Sequence, residues 1–338
     1  MTQDSRIIQP LSKTGQVASY AEFENLVFAF EAVLRRFGIS IQPGSELEAA
    51  CCSVLDVLGK NQNPHICNPQ EDVRLVFTEI LGIWIFLTKI IRLERHPCFP
   101  QFVPHLALLN EGTVGQNKRA TVCQEATNKI FELLFALVLL DVSEDVLLDD
   151  PNLAKGNNPD LLAKIDAQCW GFACKTIYSK SGKTFYDNLK KGVEQIEAAP
   201  KAQVGIVVMN LRNIISHDAC WPIVNEAQYR NGEEPVFSAY EQPAEFVTQH
   251  IQEVIEEKYS QIVAEIGLLD IMKMFDGKKA LPAYFTFCQA CTGRVSAFGP
   301  IPTIITRLDV GHFGDVQAQQ SVFDKINLAL HERLSWKS

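Results

Sequence analysis

The chain has 338 residues, 47% of them hydrophobic and 21% charged, a globular composition that suffices for one large domain or two of ordinary size. A net charge of −9 excludes a protein that coats nucleic acid non-specifically, since such binding depends on many Lys and Arg contacts to phosphates; any contact must be local. The ten cysteines lie mostly inside apolar runs and no signal peptide precedes them, which predicts free, buried thiols in a reducing cytoplasm.

In chain order, residues 1–17 are polar and aperiodic, and Tyr20 to Phe37 carries Phe23, Leu26, Val27, Phe30 and Val33 at helical spacing. A second helix is predicted over Glu46 to Leu58 and a third over Asp72 to Arg95. The apolar runs Ile80 to Ile91 and Phe131 to Leu140 are shorter than the roughly 20 residues of a spanning helix, so they read as core helices and no membrane contact is expected. The proline-containing segment His96 to Pro104 marks a boundary.

An amphipathic helix is predicted from about Lys118 to Leu140, with Glu125 and Glu132 on nearly the same face, ending in an acidic loop. Asp160 to Ile165 and Cys169 to Tyr178, around the turn Asp166-Ala167-Gln168, read as a strand pair. A helix over Lys183 to Ala199 and a buried, β-branched strand over Val204 to Ile215 follow. A polar loop, Glu226 to Gln242, precedes a helix over Ala244 to Ile266, strands over Pro282 to Cys288 and Thr303 to Val310, and a final helix over Gln317 to Leu334. The expected fold is α/β (α+β), a central mixed sheet flanked by helices. It divides into a helical N-terminal region (1–100), an α/β core (105–225) and a helix-strand-strand-helix extension (240–338).

A Mg²⁺-dependent phosphodiesterase needs at least two oxygen ligands on rigid neighbouring elements and a lysine that stabilises charge or orients water. Asp160 opens one strand, Lys175 lies near the end of the next, and Ala173, two residues earlier, shares the face of Lys175. Between Lys175 and Lys201 the lysines at 175, 180, 183, 190, 191 and 201 outnumber Asp187, Glu194 and Glu197, a basic lip suited to a phosphate backbone.

Over residues 117–216 this order resembles the PD-(D/E)xK, or restriction-endonuclease-like, nuclease superfamily. The resemblance implies a helix glutamate at Glu125, the Pro-Asp at Pro159-Asp160, the lysine at Lys175 and a helix with Gln195 facing the site. Ala173 stands where the family has an acid, and Glu194, on the following helix, is the nearest replacement. The implied activity is metal-dependent nuclease action, on DNA more than RNA, with Asp160 and Glu125 or Glu194 holding Mg²⁺ or Mn²⁺, Lys175 catalytic and Gln195 positioning. Lys180, Lys183, Lys190 and Lys191 would contact nucleic acid, and a bacterial defence setting is compatible. The alternative is an inactive nuclease-like scaffold whose N-terminal helices bind another protein.

Three further motifs compete. Arg212 and His217 fit the Arg-x4-His pattern of the helical HEPN ribonucleases, which cut RNA without metal, but they follow a strand-like segment. Cys288 and Cys291 have the spacing of half a zinc site without a second pair and read as buried thiols. Gly182-Lys183-Thr184 is similar to the end of a phosphate-binding loop that lacks its earlier glycine. Trp170 and Trp221 read as packing residues.

Overall fold

The computed structural model describes residues 20–52, 73–119, 123–152, 158–221, 241–296 and 299–331. The second expected helix is seen as far as Cys52, and its remainder, residues 1–17 and most of the loop from Glu226 lie outside the described residues. Nine labelled helices are used below: α1 (Tyr20–Arg36), α2 (Val73–Leu93), α3 (Val103–Ala107), α4 (Glu125–Leu139), α5 (Gly182–Ala198), α6 (His217–Cys220), α7 (Glu241–Ile266), α8 (Leu268–Lys273) and α9 (Gln320–His331).

The strands β1 (Val146–Leu148), β2 (Leu161–Ile165), β3 (Gln168–Thr176), β4 (Val204–Asn210), β5 (Ala280–Ser296) and β6 (Gly299–His312) form one mixed sheet in sequential order. Strands β1, β2 and β3 pair antiparallel, β3, β4 and β5 parallel, and β5 and β6 antiparallel. The fold is therefore α+β, a mixed sheet flanked by helices.

Alternation along the strands divides the core in two. Trp170, Phe172 and Cys174 of β3, Ile206 and Val208 of β4, and Phe285 and Phe287 of β5 share one apolar cluster with α1, α2, α4 and α9. Ala173, Val207, Met209, Tyr284 and Cys288 share the other with α5 and α7. The first cluster draws on all three segments of the chain, because α2 packs on β5 and β6 rather than forming a core of its own. Buried Lys89 of α2 fastens this layer, donating to Asp141 Oδ2 (3.0 Å) beyond the end of α4 and to the Ala329 carbonyl (3.0 Å) of α9.

Several boundaries differ from the sequence expectation. The chain is helical from Glu125 rather than Lys118, with Gln124 extended at the N-cap. Strand β4 stops at Asn210 because its side chain accepts the Arg212 N–H, and the Ile214 and Ile215 N–H groups fold back onto the Leu211 carbonyl. The β-branched tail is thus buried without being paired. Strand β5 runs on to Ser296, and β1, three residues long, is too short to leave a period in the sequence.

The β2–β3 hairpin turns through Asp166 (φ 50°) and Ala167 (φ 65°), the two left-handed positions of a tight hairpin, where glycine avoids a Cβ clash. Ala167→Gly is therefore expected to stabilise the chain by about 1 kcal/mol, read as a rise in thermal midpoint; a lower midpoint would show that the turn is not strained.

Candidate active site

The loop that ends in Pro159 delivers Asp160 to the start of β2, where its carbonyl accepts the Asp149 N–H (2.9 Å) from the chain leaving β1. Its carboxylate crosses to β3, and Oδ2 accepts the Cys174 N–H at 2.7 Å. Lys175, the next residue, places Nζ 3.5 Å from the same oxygen and donates to the Cys174 carbonyl at 2.9 Å. The pair thus sits at the carboxyl end of β3, the first of the parallel strands, the end at which open α/β sheets bind ligands.

Helix α4 closes this end. Lys129 Nζ lies 2.9 Å from Glu132 Oε2 and 3.9 Å from Asp160 Oδ1, so one ammonium stands between two carboxylates. His105 of α3 approaches Glu132 from behind, Nε2 to Oε2 3.8 Å. All four side chains are buried.

Burial dominates their electrostatics. It pushes the Asp160 carboxyl up to about 6, with the Glu132 charge adding and Lys175, Lys129 and the Cys174 N–H opposing. It raises Glu132 as well, against Lys129. It works against the Lys129 ammonium too, but Glu132 and Asp160 outweigh it and hold that group above its ordinary value. Burial, then Lys129, pushes His105 down to about 4, leaving it neutral at neutral pH. Two lysines thus stand against two buried carboxylates. Asp149, partly exposed, is raised by burial and feels both Lys129 and Asp160.

Of the residues singled out from sequence, Asp160 and Lys175 come together. Glu125 is exposed in the first turn of α4, and the glutamate that reaches Asp160 is Glu132, two turns further on. Ala173 is fully buried beneath α5, so a carboxylate there would lie among Phe185, Leu189 and Val193. Glu194 is exposed and Gln195 is buried on α5, and the charges that chiefly act on Asp160 are those of Glu132, Lys175 and Lys129. Lys180, Lys183, Lys190 and Lys191 are exposed.

The competing motifs are held in structural roles. Arg212 is buried and its guanidinium donates to the Lys118 carbonyl (Nε, 2.8 Å), while His217 begins the one-turn helix α6 with Nδ1 3.4 Å from Thr78 Oγ1. Cys288 and Cys291 lie three apart on β5 and so point into opposite core clusters, which rules out a shared ligand or disulfide. At the start of α5 the Lys183 N–H is taken by Glu265 Oε2 (2.8 Å), a carboxylate where a phosphate-binding loop would hold phosphate. Trp170 and Trp221 are buried.

Lys129, Glu132 and His105 had to come from the structure. One signal was available: Lys129 and Glu132 are the charged residues in the otherwise apolar run from Lys129 to Leu140, and a charge that enters a core needs a partner there.

As a donor set, the Asp160 and Glu132 carboxylates are hard oxygens, the type that Mg²⁺ and Mn²⁺ take, and Mg²⁺ is commonly held by one or two carboxylates with water and phosphate. Lys129 Nζ marks where positive charge is already held between them. Among the described residues no group of three or more His, Cys, Asp and Glu side chains is arranged to hold a metal. None of the helices in the described residues is long and apolar enough to cross a membrane. A scan of family models gave no match, and neither did searches of curated proteins and of solved structures.

Proposed function

We propose that the chain is a metal-dependent nuclease that hydrolyses phosphodiester bonds, DNA more than RNA, at the Asp160–Glu132–Lys175 cluster. The observation that carries this is the convergence of two carboxylates and a lysine at the carboxyl end of β3. The order helix, strand pair, helix, strand expected of a restriction-endonuclease-like core is found in α4, β2, β3, α5 and β4, with the short β1 inserted between α4 and β2, which supports the resemblance; the DNA preference rests on that resemblance alone.

Asp160 and Glu132 would hold Mg²⁺ or Mn²⁺, with water and substrate phosphate as the remaining oxygens. When bound, the cation supplies Lewis-acid polarisation of a phosphoryl oxygen. The Lys175 ammonium, tied to the Cys174 carbonyl, opposes negative charge that grows on the phosphate as the phosphorus–oxygen bond breaks. Asp160 is oriented by the Cys174 N–H. His105, kept neutral, leaves the charge of Glu132 to the cation. The exposed lysines of α5 would take up neighbouring phosphates of the substrate.

One feature favours the second reading, a non-catalytic scaffold: Lys129 already occupies the space between the carboxylates. The two readings part in one assay. Plasmid, single-stranded DNA and RNA are incubated with Mg²⁺ or Mn²⁺, and cleavage is expected for the natural chain and lost in Asp160→Asn and Glu132→Gln, which keep shape and remove one charge. Failure to cut any substrate, or variants that cut as fast, would leave the scaffold reading.

A further inference from the structure

We propose that Lys129 is an internal competitor for the cation position, so that a divalent ion enters only as the ammonium leaves the gap between Glu132 and Asp160. This rests on the metal-site reading above and adds to it a control on metal entry. Lys129 Nζ lies nearer to Glu132 Oε2 (2.9 Å) than to Asp160 Oδ1 (3.9 Å), so it spans both carboxylates at once, and a cation coordinated by both would meet it at close range.

Lys175 is placed differently. It touches Asp160 at 3.5 Å from the β3 side and is anchored to the Cys174 carbonyl, flanking the gap without spanning both carboxylates. The two lysines thus carry the same charge at comparable distances from Asp160, but Lys129 alone of the two bonds Glu132. That difference separates competition for a position from simple repulsion.

The partly exposed Asp149 carboxylate acts on Lys129 as a third attractive charge, and the flexible four-carbon stem of Lys129 allows the ammonium to exchange partners without moving α4. A site occupied by its own lysine binds metal with an apparent affinity reduced by the fraction of time the lysine is away.

The test is titration calorimetry of the full chain with MnCl₂ and with MgCl₂, with the metal-induced rise in thermal midpoint measured alongside. Lys129→Met should bind at least about tenfold more tightly than the natural chain, as expected where the seated form predominates, whereas Lys175→Met should gain clearly less. Lys129→Gln, which retains a hydrogen bond to Glu132, is the second variant should the methionine disturb folding, and it should also bind more tightly. Equal gains at 129 and 175 would reduce the effect to general repulsion and overturn the proposal. Equal affinity of the natural chain and both Lys129 variants would overturn it while leaving the metal site in place, and no binding by any of them would overturn the metal site itself and the proposal with it.

Discussion

Lys175→Met is expected to slow metal-dependent cleavage by about a hundredfold to ten-thousandfold, the range for removing a positioned charged or proton-transferring group, while the thermal midpoint changes little. Methionine matches the unbranched stem of lysine, so its packing contacts are largely retained. What is lost is the ammonium 3.5 Å from Asp160 and 2.9 Å from the Cys174 carbonyl. Asp160 keeps the Cys174 N–H and Lys129, so it is not left as an unpaired buried charge, the case that costs several kcal/mol. Single-turnover cleavage at saturating Mn²⁺ isolates the chemical step from metal affinity. Lys175→Arg should recover only part of the rate, because a planar fork does not superimpose on a point charge. Wild-type rates in Lys175→Met would remove this residue from the mechanism.

How far the site was legible depends on the range of the interaction that builds it. Asp160 and Lys175 are joined by a hairpin, and its turn at Asp166-Ala167 and the alternation of β2 and β3 are local features, so their proximity follows from the sequence. Glu132 is joined to them only through packing of α4 on the sheet. Helical spacing puts Glu125 and Glu132 on nearly one face, but it does not say which turn lies over the end of β3, and burial of the whole run Phe131 to Leu140 decides it. Lys129 was hidden for the same reason, since a lysine early in an amphipathic helix ordinarily faces water. His105 directly follows the proline-containing segment His96 to Pro104, which marks a break and says nothing about its neighbours.

The fold shows the same division. The paired strands and long helices were legible because their periods are set by backbone geometry. The joining of β4 to β5, and of α2 to β5 and β6, depends on contacts across many tens of residues, which no window of sequence contains. Thus the C-terminal extension enters as neighbouring strands of the same sheet.

Phe135→Ala should lower stability by about 3–5 kcal/mol, the cost of truncating a buried aromatic and leaving a cavity. Phe135 is 2% exposed and lies between helix and sheet, its ring 5.5 Å from Phe172 of β3 in an edge-on contact, 6.4 Å from Phe285 of β5 and 6.5 Å from Phe131. Denaturant unfolding with an unchanged slope checks the figure, and Phe135→Leu, which leaves a smaller void, should lose less. The consequence extends to the site because Phe131 and Phe135 anchor the helix that carries Lys129 and Glu132, whereas Asp160 and Lys175 are held by the hairpin. Under conditions where Phe135→Ala remains folded, its metal-induced gain in thermal midpoint should therefore shrink more than that of an equally destabilised variant on α9, such as Ile326→Ala, which lies in the same core but on a different helix. Equal shrinkage in the two would mean that Glu132 is positioned by overall stability rather than by the seating of α4.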